Sequence, residues 1–261
     1  MRRIAIHNQK AGSGKTTLAV NLAAALGETG SRVLLVDMDP QAAATGWLGV
    51  TDPRRGITDL FIDEKPLLDV VKATPVPGVT LIPGSAWLQG AEGALTWELD
   101  ALQIFRRGVD GLPSDQWDYL IVDCPPALGI LTANGLMGVW ELLIPVEARA
   151  PVLPGAERVI DAAETLRTHL HPKLKVLGIV ACRVDPKDRQ SRDAVRKLRG
   201  RFGKLVFKEE VRENGGLTEA PASGMPITQY RADSQGAKDY RALATAVSEK
   251  GRQAGATSSK T

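Results

Sequence analysis

Two lysines five positions apart, Lys10 and Lys15, bracket the small residues Ala11, Gly12, Ser13 and Gly14, and two hydroxyls, Thr16 and Thr17, follow. Small residues let a backbone close around an anion with its N–H groups pointing inward. A lysine ending such a run reaches the outer phosphates of a nucleotide, and the next hydroxyl can ligate magnesium. The chemistry on offer is therefore binding of a nucleoside triphosphate at Gly12, Ser13, Gly14, Lys15, Thr16 and Thr17. The general pattern G-x-x-x-x-G-K-[ST] wants glycine where Gln9 stands. Lys10 needs its own account, either as a solvated surface charge or as a contact to another phosphate group. Three carboxylates complete the set, because Asp37 and Asp39 (VLLVDMDPQ, 33–41) and Asp123 (YLIVDCPP, 119–126) each follow an apolar run.

The surrounding elements must position these groups. A strand is expected at 3–7 and a helix at 15–28, so the small-residue loop opens a helix whose N-terminal dipole favours an anion. The run at 33–37 reads as a parallel strand buried on both faces. Its carboxylates then lie at a strand's carboxyl end, where open α/β sheets bind ligands. Asp123 ends a second such strand and suits an indirect magnesium ligand, with helix capping as the alternative. Further strands are expected at 79–82, 140–146, 176–182 and near 205–207. Short helices are expected around 59–62 and 67–71, and longer ones at 85–107, 154–170, 186–202 and 237–247. Trp87 and Trp97 read as packing residues. The loop 212–230 precedes the last helix, and a polar, disordered tail is expected over 251–261. Strand and helix alternate throughout. The fold class is α/β, a doubly wound, mostly parallel sheet flanked by helices, in one domain over 1–250.

Composition narrows the setting. The chain has 261 residues, of which 43% are hydrophobic and 24% charged, ordinary values for a globular protein. No apolar run is long enough to cross a membrane, and strand one follows the N-terminus without room for a signal peptide. Two cysteines, Cys124 and Cys182, form no ligand pair, which points to a reduced, cytoplasmic protein. His7, His169 and His171 lack metal-ligand spacing, and the latter two are expected to close a helix. Charge is uneven. From Arg183 to Lys204 nine basic and three acidic residues give +6, against +3 for the whole chain, so the remainder carries −3.

With these residues in view, the chain resembles the ParA/MinD family of deviant phosphate-loop ATPases, and within it the small, Soj-like ParA partition ATPases. NQKAGSGKTT (8–17) is similar to the family's N-Q-K-G-G-V-G-K-T-T, with Ala11 and Ser13 departing from Gly and Val. VLLVDMDPQ and YLIVDCPP match two further motifs, and EAPASGMPI (219–227) resembles E-A-P-x-x-G-x-P-I. The resemblance implies ATP and Mg2+ as cofactors and a homodimer that sandwiches two ATP molecules. Lys10 would contact the partner's nucleotide and Lys15 the phosphates of its own subunit. Thr16 would ligate the metal, Asp123 would support it through water, and Asp39 would position the attacking water, with Asp37 acting indirectly. Slow basal turnover is expected. In the segment that meets adenine in relatives, Arg212, Glu213 and Asn214 replace P-R-N, and Asn214 is the expected base contact.

The basic helix has two stripes. Arg192, Arg196 and Arg199 share one face, and Val195, Leu198 and Phe202 share another. Arg183, Lys187, Arg189, Lys197, Arg201 and Lys204 enlarge the basic patch. Taken alone, this is a solvated face. The resemblance implies non-specific DNA binding by the ATP-bound dimer, through phosphate contacts at Arg183, Arg189, Arg192, Arg196 and Arg199. It also implies a ParB-type adaptor partner and association with the nucleoid in plasmid or chromosome segregation. A start at strand one leaves out the N-terminal DNA-reading domain of larger ParA proteins, so sequence-specific autorepression is not expected. Other readings are a positioner of another cargo, a MinD-like membrane ATPase, an electron-transfer relative and a small-substrate enzyme. The end of the chain lacks the bulky apolar residues a membrane helix needs, cluster cysteines are missing, and the basic helix favours DNA over a small substrate.

Overall fold

The computed structural model describes residues 1–50, 56–95, 100–149 and 151–258. The chain opens with β1 (Arg2–Ile6), α1 (Lys15–Glu28) and β2 (Val33–Asp37). All five residues of β2 are buried, as its continuous apolar run requires. Two short helices, α2 (Ala43–Trp47) and α3 (Ile57–Asp63), and a 3-10 turn at Leu67–Val70 lead to β3 (Lys72–Ala73) and β4 (Val79–Ile82). Then come α4 (Leu88–Leu95), α5 (Ile104–Asp110), β5 (Tyr119–Asp123), α6 (Ile130–Met137), β6 (Glu141–Glu147) and α7 (Leu153–His169). The remainder is β7 (Lys175–Val184), α8 (Arg189–Phe202), β8 (Val211–Arg212), α9 (Gly215–Glu219), α10 (Ile227–Tyr230) and α11 (Gln235–Ser258).

One eight-stranded sheet has the order β3-β4-β2-β5-β1-β6-β7-β8. Every pair is parallel except β3 with β4. β5 inserts between β1 and β2, so residues far apart in sequence become neighbours at the carboxyl edge, with Asp37 opposite Asp123 and Ile6 opposite Asp123. Apolar side chains fill both faces. α1, α2, α10 and α11 cover one with Leu18, Leu22, Leu26, Trp47, Tyr240 and Leu243. α3 to α8 cover the other, with Phe61, Phe105, Leu131, Val159 and Leu198 among the buried residues. The small side chains Ala23, Ala24 and Ala25 let α1 be buried nearly all round, against the sheet and α11.

Several elements differ from expectation. The single helix expected at 85–107 is broken into α4, a 3-10 turn at Ala101–Gln103, and α5. The start of α5 is set by a tertiary bond, Phe105 N–H donating to Asn134 Oδ1 at 3.1 Å. Trp87 is 65% exposed rather than packed, and Trp97 lies outside the described residues. The strand expected at 205–207 is a 3-10 turn, Gly203–Leu205, followed by one bridge from Val206 to Ile179; the edge strand is the two-residue β8. The helix expected at 237–247 continues to Ser258, and 259–261 lie outside the described residues. His169 ends α7, but His171 is buried beyond it, its Nε2 2.6 Å from the Val139 carbonyl oxygen. Both cysteines are free and buried. Among the described residues no helix is long and apolar enough to cross a membrane.

Candidate nucleotide-binding site

The loop between β1 and α1 is anchored by Asn8. Its Nδ2 donates to the Pro145 carbonyl at 2.6 Å and its Oδ1 accepts from Lys10 N–H at 3.0 Å. Gly12 and Gly14 have φ of 71° and 91°, left-handed values that favour glycine. Ala11 is not among the left-handed residues, so alanine in place of the family's glycine introduces no backbone strain there. The Gly14 carbonyl accepts the first helical bond, from Leu18 N–H at 2.8 Å, leaving earlier N–H groups of α1 free for an anion. Ser13 is buried and its hydroxyl has no partner.

Lys15 is buried, and its Nζ donates to the Lys10 carbonyl at 3.3 Å. Burial lowers its pKa, and Asp123 and Asp39 oppose that shift. A cleft of about 490 Å³ opens beside it, lined by Gly12, Gly14, Lys15, Thr16, Thr17 and Asp39. A second cleft of about 390 Å³ shares Gly14, Thr17 and Arg183 with the first and is lined further by Asn214, Leu217 and Pro221. Asn214 also N-caps α9, its Oδ1 accepting from Gly216 N–H at 2.9 Å. Helix α1, which the loop opens, is tied to the 219–227 motif by Asn21, whose Oδ1 accepts from Ile227 N–H at 2.7 Å.

The three carboxylates have different surroundings. Asp37 is fully buried; its Oδ2 accepts from Thr45 N–H at 2.8 Å and Thr45 Oγ1 at 2.7 Å, and its Oδ1 from Asp39 N–H at 3.2 Å. Burial pushes its pKa up to about 6 despite these bonds. It thus organises the loop after β2 and is saturated by protein donors. Asp39 is half-buried on the cleft wall. Asp123 is buried with no hydrogen-bond partner for either oxygen. Burial, then the charge of Asp37, push its pKa well up; the Thr16 hydroxyl opposes this without reaching full hydrogen-bond geometry. Among the described residues no cluster of three or more His, Cys, Asp or Glu side chains could hold a metal alone. A cation here must therefore borrow ligands from phosphate and water, which suits Mg2+, and the orphaned Asp123 oxygens beside Thr16 fit such a group.

Lys10 points outward, its side chain 50% exposed, and pairs with Glu147 Oε2 at 2.7 Å. Glu147 ends β6. Burial alone would raise its pKa, but Lys10, Arg183 and Arg149 hold it below the usual carboxylate range. His7, buried at the end of β1, places Nδ1 3.0 Å from the Pro125 carbonyl oxygen and leaves Nε2 without a partner. Burial first, then Lys15, lower its pKa to about 4. Glu147, His7 and Asn21 carried no motif signal, since each acts through a partner distant in sequence.

The basic stripe on α8 is real but locally engaged. Val195 and Leu198 are buried beneath it. Arg189 lies 3.9 Å from Asp193, which also binds Arg196. Arg192 donates to the Pro186 and Lys187 carbonyls at 2.8 and 3.1 Å, and Arg199 donates to Glu210 Oε1 at 2.7 Å. Arg183 does not belong to this face; it lines both clefts of the nucleotide site.

A small-residue loop at a helix N-terminus, a buried lysine and carboxylates at the ends of two adjacent parallel strands define a phosphate-loop nucleotide-binding protein. The family model described as an AAA domain matches residues 1–176. The sporulation initiation inhibitor protein Soj of Bacillus subtilis is 36% identical over 250 residues, covering 95% of this chain and 98% of its own. The chromosome-partitioning ATPase Soj of Thermus thermophilus is 39% identical over 247 residues, 95% of each chain. Among solved structures, a Mycobacterium smegmatis protein described as cobyrinic acid a,c-diamide synthase, with bound ATP analogue and magnesium, superposes with a TM-score of 0.82. It is 30% identical, and the match covers 95% of this chain and 94% of that one. The chain belongs to the ParA/MinD family of ATPases, close to the Soj-like partition proteins.

Proposed function

We propose that this protein is an ATP-hydrolysing partition protein that dimerises on ATP and binds DNA without sequence preference. It acts with a ParB-type adaptor in the segregation of a plasmid or chromosome. The observation that carries the reading is Lys10, whose half-exposed side chain, among the described residues, pairs with Glu147 rather than entering the phosphate cleft. A surface lysine five residues before the cleft lysine is suited to a nucleotide brought by a second copy.

Each residue has a part. Gly12 and Gly14 let backbone N–H groups reach the phosphates, and Lys15 neutralises their outer charge. Magnesium, when bound, would supply further neutralisation of phosphate charge; Thr16 would hold it, with Asp123 in support. Asp39, on the cleft wall, accepts a hydrogen bond from the attacking water and orients it. Lys10 adds a second positive charge from across the dimer. Phosphoryl transfer needs little beyond such positioning and charge stabilisation. With a single orienting carboxylate, basal turnover is slow and left for the adaptor to raise. Asn214 meets the base. Dimerisation doubles the α8 patch, and DNA phosphates displace the local partners of Arg189, Arg192, Arg196 and Arg199, which carries the protein to the nucleoid rather than to a membrane.

Size-exclusion chromatography tests the first step. ATP should shift the protein to a dimer, and Lys10→Ala should stay a folded monomer; an unchanged dimer makes Lys10 a bystander. Gel-shift titration tests the second. DNA binding should require ATP, weaken steeply with salt and be lost when Arg192, Arg196 and Arg199 become Glu. Equal affinity in ATP, ADP and no nucleotide would sink the switch.

A further inference from the structure

Arg183 occupies a backbone conformation that its residue type resists. Its φ is 52°, in the left-handed region where a side chain crowds its own backbone. The pairing of β7 with β8 shows why. Cys182 faces Val211 and Val184 faces Arg212, so Arg183 is an extra residue bulged out between two consecutive pairs. Bulges of this kind re-aim a side chain, and they concentrate beside functional sites. Here the side chain is turned into the wall shared by the two clefts, together with Gly14 and Thr17.

The charges nearby are unbalanced. Glu147 Oε1 lies 3.6 Å from Arg183 and 3.8 Å from Arg149, while Oε2 holds Lys10 at 2.7 Å. A second carboxylate of this cluster, Glu213, lies 3.5 Å from Arg149. Within this cluster two carboxylates face three cations, at a point that joins the cleft beside Lys15 to the adjoining cleft lined by Asn214, Leu217 and Pro221. The complementary ligand is a polyanion carrying a group that offers both apolar surface and hydrogen-bonding atoms. We infer that Arg183 is a nucleotide ligand that neutralises the phosphate nearest the nucleoside, in both di- and triphosphates, and that it is not part of the DNA surface. The inference rests on the nucleotide site proposed above.

The alternative is that Arg183 merely ties β7 to β6 through Glu147. Arg183→Gly separates the two, because glycine relieves the left-handed backbone while deleting both the ion pair and the ligand. Fluorescent ATP and ADP analogues should be titrated with magnesium into the full chain, and the ligand-free melting temperature recorded beside them. The expected result is affinity weaker by roughly tenfold for both nucleotides, with a melting temperature equal to or above that of the unsubstituted protein. Arg183→Lys, which keeps the charge, should fall between. Unchanged affinity overturns the assignment, as does weakened affinity accompanied by a lower ligand-free melting temperature. Retained nucleotide affinity with lost DNA binding would return Arg183 to the DNA surface. Lys15→Ala serves as the reference. If it loses the nucleotide while Arg183→Gly does not, only this inference fails; if the unsubstituted protein binds neither nucleotide, the site reading itself fails.

Discussion

His7 makes the nucleotide-free protein acid-sensitive, and replacing it should change the slope of stability with pH in a calculable way. The buried ring has a pKa near 4 in the folded chain against an ordinary 6.5. A base whose folded pKa is depressed binds fewer protons folded than unfolded, so its contribution to stability falls as pH drops below 6.5 and levels off only below about 4. Between 6.5 and 5 lie about 1.5 units at 1.36 kcal/mol each, or roughly 2 kcal/mol lost. Asp37 acts in the opposite sense. Its folded pKa is raised from 3.8 to about 6, so acidification through 6 adds stability, on the order of 1 kcal/mol by pH 5. Asp123 shifts in the same direction as Asp37. In the unsubstituted protein the two carboxylates therefore oppose the His7 contribution. His7→Asn keeps a donor near the Pro125 carbonyl and removes the titration. Urea unfolding of both proteins without nucleotide, at pH 7 and pH 5, should show the variant gaining about 2 kcal/mol relative to the parent on acidification. By melting this is roughly 4–8 °C for a chain of this size. All other groups titrate in both proteins and drop out of the difference. Parallel pH profiles would mean that His7 titrates as an ordinary histidine and that its burial is misread.

Two further substitutions test the phosphate loop and its surroundings. Asp123→Asn removes a buried charge whose oxygens have no partner; it should raise the ligand-free stability at pH 7 by about 1–3 kcal/mol, read as a higher melting temperature, while abolishing ATP hydrolysis. A lower melting temperature would show that the Lys15 pair outweighs burial. Gly14→Ala meets only ordinary contact, Cys182 Cβ at 3.8 Å, so its loss of roughly 1–2 kcal/mol comes from the left-handed backbone. It should be read in thermal unfolding together with weakened nucleotide binding, and an unchanged melting temperature would refute the strain.

The phosphate loop, the strands ending in Asp37 and Asp123, and the parallel sheet were legible because each rests on local pattern. Continuous apolar runs can be buried only in a sheet covered on both faces, and glycines before a lysine mark a strand-to-helix turn. What pattern could not show is which strands touch. β5 pairs with β1 and β2 across more than eighty residues of chain, and that pairing makes Asp123 a neighbour of Asp37 and Lys15. The edge strand β8 is too short to carry an apolar alternation and was displaced to 205–207, where hydrophobic residues sit in a turn instead. Residue type alone points Trp87 to packing, although it precedes a short helix and faces solvent. Arg183 was grouped with the arginines of α8 by proximity in sequence; a bulge invisible to spacing turns it into the cleft.

These long-range contacts explain why the site holds unresolved charge. Asp123 and Ser13 bury polar atoms that no protein group meets, and Lys15 is buried against its own preference for water. Each such group destabilises the empty fold by an amount comparable to a lost hydrogen bond. All three lie at one edge of the sheet, and under the proposed nucleotide site a phosphate chain with a magnesium ion would complement each of them. Asp37, by contrast, is satisfied by Thr45 and the Asp39 backbone in the empty protein. The loop carrying Asp39 is therefore held in place before any ligand arrives. The proposed site then implies an order of events: Asp37 pre-forms the wall, while Lys15, Ser13 and Asp123 would supply the binding free energy released when the cleft fills.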